Sequence, residues 1–234
     1  MKNTIQDKTK LVNSVFTKVY RKYDLMNDIM SIGSHRMWKN KFLDWMNPQP
    51  NNSLVDVASG TGDIAKLFSK KIKNSGSISC VEPNDEMYLT GKKNLKNFGN
   101  IRWYKASAER LPFKNDSFDF YTISYGLRNV SNINSSLFEA FRVLKPGGRF
   151  MCLEFSKIDN EIIDSIYKQY SKLIPIIGKL VVGTPEPYNY LIKSINEFYS
   201  QKELVKKIEN SGFSNVEYRN LFNGVCAIHS GWKI

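Results

Sequence analysis

From residue 53 onward the chain alternates short β-branched runs with amphipathic stretches of helical length, and this alternation constrains the fold class more than any single motif. SLVDVA precedes DIAKLFSKKI, SISCVE precedes NDEMYLTGKKNLK, IRWYKA stands third, SFDFYTISY precedes NSSLFEAFRVL, and GRFMCLEF follows. Parallel strands need long crossovers, and helical crossovers lay their apolar stripes on the sheet, so the expectation is an α/β fold with helices on both faces. QKELVKKIENSG then leads into two closing runs, NVEYRNLF and GVCAIHSGWK, separated by Asn223 and Gly224. Asn-Gly favours a tight turn, which makes the last two strands an antiparallel hairpin in an otherwise parallel sheet.

Two stretches fall outside the alternation. Residues 1–47 and 157–200 read as an N-terminal helical cap and a helical insertion, together a substrate lid on one domain spanning 1–234. Within the second, LIPIIGKLVVG (173–183) is apolar but too short to span a bilayer, and Pro175 and Gly178 argue against an unbroken helix there. It reads either as a packed turn or as an apolar entrance that also touches a membrane surface.

The glycine loop SGTGD poses the question of the ligand. Gly60, Gly62 and Ala65 match the dinucleotide pattern G-x-G-x-x-G/A, and Glu82 follows at the distance of a ribose-binding acid. A diphosphate, however, wants a loop free of carboxylates at a helix N-terminus. Here Asp56 precedes the loop and Asp63 closes it, and a like-charge contact at ~4 Å costs on the order of 1–4 kcal/mol. Asp63 alone could be a first-turn residue favoured by the helix dipole, but Asp56 lies inside an apolar strand. The bracket suits a cation, and S-adenosylmethionine, with its ammonium and sulfonium and no phosphate, is such a ligand. Glu82 is placed to accept from two ribose hydroxyls. Ser107, Ala108 and Glu109 after the third strand offer backbone to the adenine edge, and Ser124 ends the fourth strand at the ligand-binding edge of the sheet.

VDVASGTGD, VEPNDEM, ASAERLPF and VLKPGG together resemble a Rossmann-like class I methyltransferase, and KYDLMND, TISYGLRNV, VLKPGGRFMCLEFSK and NLFNGVCAIHSGWK sharpen the resemblance. From about residue 11 the chain is similar to the ubiquinone/menaquinone biosynthesis C-methyltransferase family. The resemblance implies a seven-stranded sheet with a reversed final hairpin and S-adenosylmethionine contacts at Thr61, Glu82, Ser107, Ala108 and Ser124. Glu82 stands where the family usually carries Asp, one methylene longer, and Pro83 follows it. Implied too is methyl transfer to a ring carbon of a lipophilic polyprenyl quinol, either demethylmenaquinol or 2-methoxy-6-polyprenyl-1,4-benzoquinol.

Such a carbon becomes nucleophilic when a ring hydroxyl loses its proton. Arg128, in GLRN, is the candidate to stabilise the developing phenolate, since guanidinium does not act as a base near neutral pH. His35, in GSHRMWK, has the right ordinary pKa for proton transfer, and Tyr23, in KYDLMND, is placed to orient a quinol oxygen. No metal is required. Cys80, Cys152 and Cys226 lack metal or redox spacing and read as reduced core thiols.

The net charge of +12 admits nucleic acid or an anionic membrane as partner. Lysine and asparagine are spread along the whole chain without an Arg-rich aromatic stripe, which argues against nucleic acid. The polar start MKNTIQDKTK and the lack of a 20-residue apolar run point to a cytoplasmic protein, with peripheral contact on the inner face of the membrane compatible with the charge. A homodimer or a quinone-biosynthesis assembly is compatible as well. Alternatives by pattern are an RNA methyltransferase, opposed by SYGLRN at the end of the fourth strand, and an NAD-binding oxidoreductase, opposed by the acidic bracket.

Overall fold

A computed structural model describes residues 2–19, 23–31, 33–182 and 185–234. The order is α1 (Lys2–Val19), α2 (Tyr23–Ser31), α3 (His35–Met46), β1 (Ser53–Val57), α4 (Asp63–Lys71), β2 (Ser77–Val81), α5 (Asp85–Asn94), β3 (Ile101–Tyr104) and β4 (Phe118–Ser124). It continues with α6 (Ile133–Val143), β5 (Leu144–Phe155), α7 (Glu161–Val182), α8 (Glu186–Glu197), α9 (Gln201–Glu209), β6 (Ser214–Leu221) and β7 (Cys226–Trp232). The strands form one seven-stranded sheet in the order β3-β2-β1-β4-β5-β7-β6. β1 to β5 are parallel, and β7 runs antiparallel to both β5 and β6. Phe222, Asn223 and Gly224 all take left-handed backbone angles between β6 and β7, so the Asn-Gly hairpin stands where the sequence placed it.

Side-chain alternation along the central strands divides the core. Leu54, Phe120, Met151 and Leu153 point to one face, where Trp38 and Phe42 of α3, Phe68 of α4 and Tyr188 of α8 cover them. Val55, Tyr121, Phe150 and Cys152 point to the other, under Leu137 and Ala140 of α6 and Leu204 and Ile208 of α9. Period two on strands meets period 3.6 on helices, and both faces are dry. The three cysteines are buried and free.

The strand order reverses between β1 and β4, and a ligand crevice forms at such a switch point. The two strand ends approach closely there: a Cβ on Gly126 would lie 2.6 Å from that of Ala58. Ala58 (φ 52°) and Tyr125 (φ 56°) both sit in the left-handed region that non-glycine residues rarely adopt. Both residues at the rim of the crevice thus hold a strained backbone.

The N-terminal helices are fastened to this scaffold. Arg149 of β5 lies between Trp45 of α3 and Trp232 of β7, 5.1 and 4.8 Å from their ring centres. Its Nη1 donates to the Trp45 carbonyl at 2.9 Å and its Nε to Ser230 Oγ at 2.7 Å. The clamp holds α3 across the sheet. One expectation fails: α7 continues through Pro175 and Gly178 without a break. Proline removes one backbone donor and costs about 3 kcal/mol inside a helix. Tertiary packing offsets that cost, with Ile174 fully buried, Tyr167 and Tyr170 against the same core, and the Tyr170 hydroxyl donating to the Ile29 carbonyl of α2.

Gly62 is the glycine on which loop geometry depends most. Its φ is +90°, and a Cβ there would lie 2.5 Å from Leu95 Cδ1 and 3.1 Å from the Trp103 ring. Gly62→Ala therefore adds backbone strain to overpacking, and the expected loss is about 1–3 kcal/mol, read as an earlier urea midpoint. An unchanged midpoint would show that the loop tolerates a side chain.

Candidate active site

At the carboxyl end of the parallel strands lies a cavity of about 640 Å³. Gly60 after β1, Glu82 after β2, Ser107 to Glu109 after β3, and Ser124 at the end of β4 with Tyr125 and Gly126 beyond it line it on the sheet side. Across from them stand Val12, Asn13 and Phe16 of α1, a wall that motif reading did not supply. A smaller annex of about 20 Å³ opens beside it, sharing Ala58, Ser124 and Tyr125, and is lined further by Lys39, Asp56, Thr61 and Asp63.

Glu82 is nearly fully buried and both its oxygens are engaged: Gly60 N–H donates to Oε2 and Asn84 N–H to Oε1, each at 2.9 Å. Burial still dominates and pushes its pKa up to about 7. Asn84 caps α5 by accepting from Met87 N–H at 3.0 Å, while its amide donates to Asn13 and, at 3.0 Å, to Thr17 of α1. On the opposite rim Lys8 donates to the carbonyls of Arg128 at 3.2 Å and Val130 at 2.7 Å. α1 thus bridges the mouth of the cavity.

Asp56 sits in β1 with Oδ1 accepting from Thr122 Oγ1 at 2.7 Å, and its Oδ2 is buried without a partner. Burial raises it to about 7 against the pull of the Thr122 hydroxyl. Ser124 Oγ is likewise buried and unpartnered. Asp63 is placed differently from the expected bracket. Lys39 Nζ of α3 meets its Oδ2 at 2.6 Å, so this acid already has a cation of the chain's own. Burial pushes the Asp63 carboxyl up, and Lys39 brings it net below its ordinary value. The signal for Lys39 was present in HRMWKNKFLDWM. His35, Trp38, Lys39, Phe42, Leu43 and Met46 share one buried face, and a lysine on an apolar stripe calls for a partner.

The structure brings Gly60, Glu82, Ser107, Ala108 and Ser124 to the cavity and Asp56 and Thr61 to the annex, whereas Gly62 packs behind the loop. Arg128 follows β4 and is buried, with Nη1 donating to Glu154 Oε1 at 2.5 Å and to the Tyr125 carbonyl at 2.7 Å, while its Nε lacks a partner. Burial raises Glu154, and Arg128's charge opposes that rise. His35 begins α3, its Nε2 2.9 Å from Asp28 Oδ1 and its Nδ1 buried without a partner. Burial, then Lys39's charge, lowers its pKa. Tyr23 opens α2, and its side chain lies outside the described residues.

These groups fit S-adenosylmethionine. Asp56 Oδ2 and Ser124 Oγ lack partners, Glu82 stands where a ribose diol needs acceptors, and the loop amide of Gly60 is already committed to Glu82. Glu82→Ala removes the acceptor and should weaken S-adenosylmethionine binding about tenfold or more by calorimetry. Because a cationic ligand favours the charged forms of Asp56 and Glu82, affinity should rise from pH 6 to pH 8, with protons released on binding. Asp56→Asn should flatten that rise. A pH-independent affinity in the native chain would remove both carboxyls from the ligand site.

The comparisons with known proteins agree with this geometry. The ubiE/COQ5 methyltransferase family matches residues 2–233. The ubiquinone/menaquinone biosynthesis C-methyltransferase UbiE of Rickettsia bellii is 48% identical, over 97% of this chain and 94% of its own. The mitochondrial 2-methoxy-6-polyprenyl-1,4-benzoquinol methylase of Dictyostelium discoideum is 42% identical, over 98% of this chain and 83% of its own. Among solved structures, a SAM-dependent methyltransferase of Thermotoga maritima superposes with a TM-score of 0.67 at 20% identity, covering 95% of this chain and all of that one. That likeness shows the class I fold. With the family matched from end to end and the switch-point cavity built for a cation-bearing nucleoside, the NAD alternative falls away: the chain belongs to the ubiE/COQ5 methyltransferase family, and its cofactor is S-adenosylmethionine.

Proposed function

We propose that this chain methylates a ring carbon of a polyprenylated quinol in ubiquinone or menaquinone biosynthesis. The observation that supports it is near-full-length identity to relatives bearing those names, one of them a benzoquinol methylase. The test is methyl transfer from labelled S-adenosylmethionine to 2-methoxy-6-polyprenyl-1,4-benzoquinol and to demethylmenaquinol, with products identified by mass. A product one methyl heavier from either quinol supports the reading, and none from both overturns it.

In this reading Glu82 holds the ribose, backbone at Ser107 and Ala108 meets the adenine, and Asp56, Thr61 and the Gly60 loop take the amino-acid end. The bound cofactor supplies an electrophilic methyl group. The chain's part is to set the quinol carbon in line with it at about 3–3.5 Å and to favour loss of a ring proton. Val12, Phe16, Met87 and Val130 give the cavity apolar wall for the ring. His35 lines neither the cavity nor the annex, so its Nδ1, an acceptor if Nε2 donates to Asp28, takes the proton in this reading by relay and not directly, and Tyr23 orients a quinol oxygen.

Residues 1–234 form one methyltransferase domain in this proposal, with 1–47 and 157–200 as the lid. Bonds from Lys8 and Asn84 that bridge the mouth support the first half of it. None of the described helices is long and apolar enough to cross a membrane. For access to a lipid-soluble quinol the reading includes a cytoplasmic chain in peripheral contact with the inner membrane face, with exposed Ile162 and Ile166 one turn apart on α7. A homodimer or a larger biosynthetic assembly is part of the same proposal.

Arg128 has a narrower role than a free cation would have. Glu154 offsets its charge, and Arg128 does not line the cavity although its neighbour Asn129 does, so its effect on a phenolate is electrostatic and not a direct hydrogen bond. Arg128→Ala leaves Glu154 buried and unpaired, so stability should fall by about 3–5 kcal/mol. The double change Arg128→Met with Glu154→Gln removes both charges and should restore most of the melting temperature while kcat stays low. Recovery of kcat along with stability would confine Arg128 to holding the loop.

A further inference from the structure

We infer that Lys39 receives the α-carboxylate of S-adenosylmethionine, so that a residue of the N-terminal cap, outside the sheet scaffold, selects the amino-acid end of the cofactor. The inference needs only the cofactor, not the quinol.

The annex beside the main cavity is lined by one ammonium and two carboxyl groups, Lys39, Asp56 and Asp63, together with Thr61 and Ser124. The amino-acid end of the cofactor carries one ammonium and one carboxylate, the complementary set. Asp56, 1% exposed, lines the annex with Oδ2 unpartnered, and Ser124 contributes an unpartnered Oγ. These two atoms need a donor and a polar neighbour from a ligand. They account for the ammonium, which leaves the carboxylate.

Lys39 is the cation lining the annex, and its side chain is 7% exposed. An ammonium has three donors, and Asp63 Oδ2 accepts one of them at 2.6 Å. Asp63 is 41% exposed, so water compensates it when Lys39 shares its charge with the ligand. At about 20 Å³ the annex is too small for the adenosine, which keeps to the larger cavity across Ser124 and Tyr125. α3 cannot drift from this position while Arg149 holds it between Trp45 and Trp232. The buried face that fills the core with Trp38 and Phe42 therefore also delivers the lysine.

Two ligands separate this role from a merely structural one. S-adenosylhomocysteine carries the amino-acid end, whereas methylthioadenosine keeps the nucleoside and sulfur without it. Lys39→Met preserves the aliphatic length and should weaken S-adenosylhomocysteine about ten- to a hundredfold by calorimetry, the worth of a charge-assisted hydrogen bond. Methylthioadenosine affinity should stay within about twofold. Lys39→Arg should recover part of the loss. The double change Lys39→Met with Asp63→Asn leaves no unpaired acid and covers the case in which the single variant folds poorly; it should show the same selective loss. Equal weakening of both ligands, unchanged binding of both, or a normal affinity ratio in the double variant would each overturn the inference, since Lys39 would then act only through Asp63 on the loop.

Discussion

The Glu82 carboxylate joins three parts of the molecule at once. One oxygen holds the amide of Gly60 in the glycine loop, the other the amide of Asn84 at the start of α5, and the Asn84 side chain then reaches Asn13 and Thr17 of α1. Loop, strand end and cap are therefore set by one buried acid. Two backbone hydrogen bonds do not outweigh the cost of its burial, which is why its pKa stands near 7. A ligand that brings hydroxyl donors to this acid supplies the solvation that folding removed. Binding and closure of the wall opposite are in this way linked through a single side chain.

The cap is joined to the scaffold by charge as well as by packing. α3 crosses one face of the sheet with an apolar stripe, is clamped by Arg149 between two tryptophans, and places Lys39 against Asp63 at the first turn of α4. Asp63 would by itself be favoured there by the helix dipole. With Lys39 added, the glycine loop is flanked by a neutralised acid on one side and by Asp56, held near neutrality by burial, on the other. The electrostatic preference for a cation rests on Asp56 and Glu82 more than on the pair of aspartates that the motif displays.

What the sequence shows and what it hides follow from the range of the forces involved. All seven strands, the reversed hairpin at Asn223 and Gly224, and the arrival of Gly60, Glu82, Ser107, Ala108 and Ser124 at one cavity were legible, because each depends on local periodicity or on strand ends brought together by parallel topology. Lys39 lies 24 residues from Asp63 and Glu154 lies 26 from Arg128, and no local pattern registers such partners. The unbroken α7 is a case of the same kind. Pro175 opposes a helix locally, and packing of Ile174, Tyr167 and Tyr170 of α7 against distant elements prevails.

The Arg128 and Glu154 pair shows how a site can hold charge without displaying it. Glu154 comes from β5 and Arg128 from the turn after β4, so their bond at 2.5 Å ties adjacent strand ends on the side of the cavity away from Glu82. Asn129, next in the chain, lines the cavity and accepts from the Tyr190 hydroxyl of α8 at 2.9 Å. A movement of α8 therefore reaches the cavity wall through one hydrogen bond, and the buried ion pair resists it, since separating the two charges in a dry interior costs several kcal/mol. The nucleoside side is fixed by strand ends and the opposite side by helices that the sheet does not require. A fold of this class can thus keep one cofactor while the added helices decide what is methylated.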